Sequence, residues 1–256
     1  QTLELRPGVY DERIQLKTNM TIKGASPDSV ILRYSGDGPI LAGSDVSNVK
    51  VSGIAIERAG QSKAQLVFLS STDIEFERCR ISKSLGNGIE AQKHGQLKLV
   101  ATEVSQNAEF GVYLHDEARG DFQDSTISKN LVGLKIDRFP QGAPPEKKVF
   151  DPKATEIALT KTKVTENTNF GIAIDKTAEL RVVESGLSGN GRRVLKQGER
   201  DVGYGAIWIG PGSNVSVENS EIAENRSGVI FDGGAGELLR NQIANNDQQG
   251  VMARGA

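Results

Sequence analysis

Residues 104–116 read VSQNAEFGVYLHD, and the same order of apolar and polar positions returns as ISKNLVGLKID (127–137), VTENTNFGIAID (164–175) and IAENRSGVIFD (222–232). An aliphatic residue is followed three places later by Asn, then by Gly, then by a short apolar alternation. Counted at the Asn position, the copies run Ser84, Asn107, Asn130, Asn167, Asn190, Asn225, Asn246, in steps of 23, 23, 37, 23, 35 and 21. The two long steps are one period plus an insertion. Other columns keep the same count. Apolar pairs such as Ile74/Phe76, Leu97/Leu99 and Leu180/Val182 come first, and small side chains (Cys79, Thr102, Ser125, Thr162, Ser185, Ser220, Asn241) follow. The Gly column is Gly88, Gly111, Gly133, Gly171, Ala206, Gly228, Gly250. Each period thus predicts three short alternating strands broken by polar turns.

Strands of three to five residues are not stable alone. Stacked about 4.8 Å apart, each pairs with its counterpart in the next period, and each inward side chain meets its own kind. Three strands in about 23 residues predict an all-β, right-handed parallel β-helix of about 9–10 coils. A leucine-rich repeat also fits the period, but needs a helical segment per repeat, and no helical periodicity is present. The expected organisation is one domain over 1–256, with less regular coils over 1–70. Regular coils follow over 71–256, with insertions at 138–154 and 191–205. The opening LELRPGVYDERIQL reads as strand, Pro-Gly turn and strand. The final GVMARGA begins another coil, and no capping helix is visible at either end, so a piece of a longer parent chain is expected.

Composition narrows the picture. Lys plus Arg number 31 against 33 Asp plus Glu, for a net charge of −2, so nothing global draws the chain to nucleic acid. No apolar run reaches the roughly 18 residues of a membrane span. The chain starts at Gln1, which points to a trimmed N-terminus. Cys79 is the single cysteine and falls in a column of small side chains, as a buried hydrophobe does. The Asn column reads as a ladder that satisfies turn amides, so Asn130→Ala is expected to cost about 1–3 kcal/mol. The Gly column reads as corners of positive φ.

The opening LRPGVYDERIQL…MTIKGA and the ISxN…G[IV]x[IL] coils resemble the right-handed parallel β-helix, pectate-lyase-like superfamily, in its generic β-helix repeat branch. The resemblance covers the whole chain. It implies either a polysaccharide lyase, hydrolase, epimerase or esterase, or a non-catalytic repeat domain of a larger protein; the fold does not choose. It also implies an extracellular or periplasmic setting. Several enzyme signatures are missing. There is no Asn-Thr-Asp, Asp-Asp and Gly-His-Gly set of the polygalacturonase kind, residues 151–153 read Asp-Pro-Lys where alginate epimerases carry Asp-Pro-His, and no pectate-lyase calcium cluster or esterase acid pair is evident.

In the strand after the Gly, positions +1 and +3 should face inward and +2 and +4 outward. The +2 column holds Glu90, Tyr113, Lys135, Ala173, Trp208, Ile230 and Met252. The +4 column holds Gln92, His115, Asp137, Asp175, Gly210, Asp232 and Arg254. Both insertions border this face and carry Lys147, Lys148, Arg192, Arg193 and Arg200. The expectation is a groove for an extended uronate-containing polysaccharide. Trp208 and Tyr113 would be flat platforms for sugar rings. Asp137 and Asp175 would be hydroxyl acceptors or a general acid and base, with Asp232 in the same column. Lys135, Lys147, Arg192 and Arg193 would meet carboxylates. In a lyase or epimerase, His115 or Tyr113 would abstract the C5 proton. Asp137 and Asp175 on adjacent coils could also hold calcium. Against this stands a plain solvated face, since outward strand positions are polar by default and Asp often ends a strand. The competing function is a scaffold whose exposed face binds a protein partner. His94 and DGGAG (232–236) read as turns.

Overall fold

The structure, a computed structural model, describes residues 1–137, 155–175, 177–192 and 204–255. The apolar pairs and the post-Gly alternations form strands that stack on their counterparts one period away, and every pairing is parallel. One coil consists of Phe110–Leu114, Arg119–Gln123 and Thr126–Ser128. Repetition of that coil builds three sheets, called here the first, second and third in that order. In two N-terminal coils a single long strand, Leu41–Ser52 or Val67–Glu77, runs from the first sheet into the second. The result is a parallel β-helix, with no helix among the described residues.

The N-terminus is more regular than its sequence indicates. Thr2–Glu4, Gly8–Tyr10 and Ile14–Gln15 are three strands, one per sheet, so the opening forms a complete coil rather than a two-strand unit. The inward columns fill the interior with Ile, Leu and Val, and Phe76 and Phe122 are its largest wholly buried side chains. Like stacks on like, so each coil buries its neighbour's apolar side chains as well as its own.

Two hydrogen-bonded ladders run the length of the regular coils. Backbone amides of Ser84, Asn107, Asn130, Asn167, Asn190 and Asn225 donate to the next Asn Oδ1 at 2.9–3.1 Å. The side-chain amides of Asn107 through Asn225 donate to the same oxygens. The rungs Asn130–Asn167 and Asn190–Asn225 hold although the insertions fall between them. A second ladder links Cys79, Thr102 and Ser125, and again Thr162, Ser185, Ser220 and Asn241, each amide donating to the next side-chain oxygen. Cys79 is buried, and burial pushes its thiol up to about 11, which fits a packed residue and not a nucleophile.

The glycine column differs from expectation. Its members do not have positive φ. Left-handed residues instead stand immediately before ladder positions, at Lys83, Gln106, Lys129, Glu166, Glu224 and Asn245 and at Arg78, Ala101, Asp124, Lys161, Glu184 and Asn219, among others elsewhere in the coils. Their side chains can extend into solvent while the next residue caps the turn. Gly111 is required for space instead. A Cβ there would lie 2.7 Å from Asn130 Nδ2 and 2.7 Å from Gly133 O, inside van der Waals contact. The Asn ladder and the glycine column are therefore one device, because the ladder occupies the room a side chain would need.

Candidate functional site

Strand register brings the +2 column of the first sheet into a single row: Phe68, Glu90, Tyr113, Lys135, Ala173, Trp208, Ile230 and Met252. Ala173 is the small member between two long ones, about 4.8 Å from each neighbour along the helix axis. The dip it leaves opens into a cleft of 510 Å³. Lys135 and Trp208 bound the dip along the axis. Phe110, Val132, Asn169 and Phe170 line one flank, and Asp175, Asp232 and Arg254 line the other.

The aromatic flank has a local cause. A Cβ on Gly111 would face the buried Asn ladder, and Val112, the next residue, faces the core. Two successive positions thus face inward, and the strict alternation slips by one. Residues just before the glycine, Phe110 and Phe170, come out onto the cleft. Phe170 packs 6.3 Å from Trp208 and edge-on to Tyr204 at 5.4 Å. Sequence reasoning missed Phe110, Phe170 and Asn169 because it carried the alternation through the glycine. The signal was present as EFG and NFG, two coils apart.

On the polar flank the charges are matched. Lys135 Nζ is ion-paired with Asp175 Oδ1; the lysine side chain is 10% exposed and the aspartate 35%. Trp208 Nε1 donates to Asp232 Oδ2 at 3.2 Å, which fixes the indole plane. Arg254 Nε lies 3.4 Å from Asp232 Oδ1. Four charged side chains thus form two neutral pairs along the cleft.

Of the residues singled out in the sequence, Lys135, Asp175, Trp208 and Asp232 meet in this cleft. Asp137 follows the strand Val132–Ile136 and does not line it. Tyr113 and His115 face outward by alternation but are 5% and 1% exposed, so neither offers an open platform or an accessible base. The Tyr113 ring lies between Phe110 (5.2 Å) and His115 (4.6 Å), and His115 Nε2 meets Glu90 Oε1 at 3.3 Å. An outward side chain is not an exposed one when flat rings lie down on their neighbours. Arg192 is on a different edge, donating to Glu224 O at 3.0 Å with Asp247 at 3.8 Å. Lys147 and Arg193, with Lys148 and Arg200, lie outside the described residues. His94 is in a turn, largely exposed, 3.0 Å from Glu117.

The calcium expectation does not fit. Among the described residues no group of three or more His, Cys, Asp or Glu side chains converges. The Asp175 carboxylate already holds a lysine ammonium, which would repel a divalent ion.

A second surface hollow of 570 Å³ lies on the second sheet around Ala158, among Lys98, Arg119, Asp121, Glu156, Glu179 and Arg181. Charged side chains rim it, with ion pairs such as Arg119–Glu156 at 3.8 Å, and no aromatic residue lines it.

The family model for the right-handed β-helix region matches residues 16–130 and 59–200, most of the chain. No curated protein matches the sequence. Among solved structures, the chain is similar to the A-module of the Azotobacter vinelandii mannuronan C-5 epimerase AlgE4. That match has a TM-score of 0.61 at 14% identity and covers 100% of this chain and 91% of that one. It is similar to an alginate lyase from Paenibacillus sp., with TM-score 0.65, 12% identity and coverage of 99% and 91%. It is also similar to the pectate lyase Pel9A, with TM-score 0.54, 13% identity and coverage of 93% and 58%. At these identities the likeness establishes the fold.

Proposed function

The chain belongs to the right-handed β-helix family, and on that scaffold we propose that the cleft over Ala173 binds carbohydrate, as a recognition site more than as an acid–base centre. One observation carries this reading. A partly exposed indole, locked by its own hydrogen bond to Asp232, stands over a one-residue dip opposite an ion-paired lysine and aspartate. An immobile aromatic face beside carboxylates suits a sugar ring, which has an apolar face and a polar edge. Proteins of similar fold that are named for alginate and pectate add support.

Recognition is favoured over catalysis because the acids that reach the cleft are engaged. Asp175 is held by Lys135, and Asp232 by Trp208 and Arg254. A carboxylate bound to a cation or an N–H donor is a fixed hydrogen-bonding group and is not turned toward a reacting bond. The His115 and Asp137 roles expected from sequence draw no support from the cleft, which neither residue lines.

The test is titration of the protein with hexasaccharides of glucose, mannuronate and galacturonate, together with assays for unsaturated and reducing-end products. Binding of at least one glycan without turnover is expected. Trp208→Ala should weaken binding about tenfold or more, as loss of a central aromatic does. Binding to no glycan, or an unchanged affinity in Trp208→Ala, would overturn the proposal.

A further inference from the structure

The cleft over Ala173 does not follow the axis of the β-helix. Its lining begins at Phe110, one place before Gly111, and ends at Arg254, four places after Gly250. Five successive strand pairings separate the two residues, about 24 Å along the axis at 4.8 Å per coil. From one place before the glycine to four places after it is five residues, about 17 Å along the strand direction at 3.3 Å per residue. The hollow thus crosses the first sheet obliquely, from the strand starts of one coil to the strand ends of another.

Among the described residues, the other directions are covered. On the strand-end side of the Phe110 coil, Tyr113 and His115 are buried. On the strand-start side beyond Phe170, Tyr204 packs edge-on against the Phe170 ring and Ser227 is buried. Straight along the axis past Trp208, the row continues with the buried Ile230. The two open ends differ in chemistry. Phe110 and Phe170, both partly exposed, make an apolar end. Asp232 and Arg254, with side chains 34% and 40% exposed, make a polar end that offers both an acceptor and a donor. At 510 Å³ the cleft has the size that holds a drug-sized ligand, larger than a single sugar ring.

We propose that the ligand is an extended glycan of about three or more rings that takes this oblique path, its middle over Ala173 against Trp208, one end ring on Phe110 and Phe170, and the other reaching Asp232 and Arg254. This rests on the carbohydrate reading above and adds two end subsites to it. A ring stacked on phenylalanine withdraws its apolar face from water, and hydroxyls beside Asp232 and Arg254 both donate and accept. The end contacts add affinity only for a chain long enough to reach them, so the effect of each end residue is coupled to ligand length.

The experiment titrates the protein with the disaccharide and the hexasaccharide of glucose, of mannuronate and of galacturonate, by calorimetry and NMR. For at least one sugar the hexasaccharide should bind at least about tenfold tighter than the disaccharide. Phe110→Ala and Arg254→Ala should each weaken the hexasaccharide about fivefold or more and leave the disaccharide within about twofold of wild type. Phe110→Tyr keeps the ring and should hold the hexasaccharide within about twofold. Met252→Ala, on the straight continuation of the row, should change neither ligand by more than about twofold. If Phe110→Ala lowers the melting temperature, the exposed Arg254 decides the outcome through its own variant. Equal affinity for the two lengths overturns the inference, as does a hexasaccharide weakened by Met252→Ala but not by the two end variants. If Trp208→Ala still weakens binding of both lengths in either case, only this inference falls. If wild type binds none of the sugars, or Trp208→Ala changes nothing, the carbohydrate reading falls with it.

Discussion

Replacing Asn130 with alanine probes the device on which the coil stack depends. Asn130 is buried, and its side chain makes four hydrogen bonds. Its Oδ1 accepts from the Asn107 amide and from Asn107 Nδ2, both at 3.0 Å. Its Nδ2 donates to Val104 O at 3.3 Å and to Asn167 Oδ1 at 3.1 Å. Alanine leaves the buried Asn107 N–H without its acceptor, which costs about 1–3 kcal/mol, and removes three further bonds worth about 0.5–1 kcal/mol each. The expected loss is about 3–5 kcal/mol, above the sequence-based figure because the side chain serves both neighbouring coils. Asn246, the last rung, is the control. It accepts two bonds from Asn225 at 3.0 and 3.1 Å and donates one to Ile222 O at 3.1 Å. It is partly exposed, so water replaces most of what alanine removes and the loss should be about 1 kcal/mol. Urea unfolding gives both values, and hydrogen exchange at the Asn107 amide localises the effect. Equal losses below about 1 kcal/mol, or slow exchange at Asn107 in Asn130→Ala, would refute the reasoning.

Two further substitutions follow from the same geometry. Gly111→Ala places a methyl against Asn130 Nδ2 and Gly133 O, whereas a Cβ on Gly186 meets nothing within 4 Å. The first should destabilise by about 2 kcal/mol or more through overpacking. The second should stabilise by about 0.4–1 kcal/mol through the unfolded chain, and calorimetric melting that ranks the pair the other way counts against the packing account. Glu57 is buried and accepts from Arg33 Nε at 3.1 Å and from Lys83 Nζ at 2.7 Å. Burial alone would push its carboxyl up, but the hydrogen bonds and charges of Lys83 and Arg33 hold it below the ordinary value of 4.5. A depressed carboxyl contributes stability that is complete above about pH 4.5 and is lost as pH falls through its folded value. Glu57→Gln should therefore cost about 1–3 kcal/mol at neutral pH and flatten the acid side of the stability profile; a wild-type acid slope in the variant would contradict the pairing.

How much was legible in the sequence depends on whether a feature repeats. The step of 23 residues from Asn107 to Asn130 is the distance along the chain from one rung to the next, so the count itself is a contact map. The same count identified the +2 row and placed Ala173 between Lys135 and Trp208. The role of the glycine was misassigned, because a residue demanded by a neighbour's side chain looks the same in sequence as one demanded by φ. The slip in alternation at Gly111 was hidden for the same reason, and with it the outward place of Phe110 and Phe170.

The sequence by itself determined the coil, its three strands, its ladders and the face on which unusual residues gather. Each is enforced many times over by a period that every coil must respect. Only the tertiary structure decided which of those residues form a site. Tyr113 and His115 are covered by rings beside them, Arg192 turns to another edge, and Lys135, Asp175, Trp208, Asp232 and Arg254 pair with one another across coils. Those outcomes depend on side-chain directions between neighbouring coils. These differ at every step of a repeat whose backbone does not, so the pattern that specifies the fold carries no information about them.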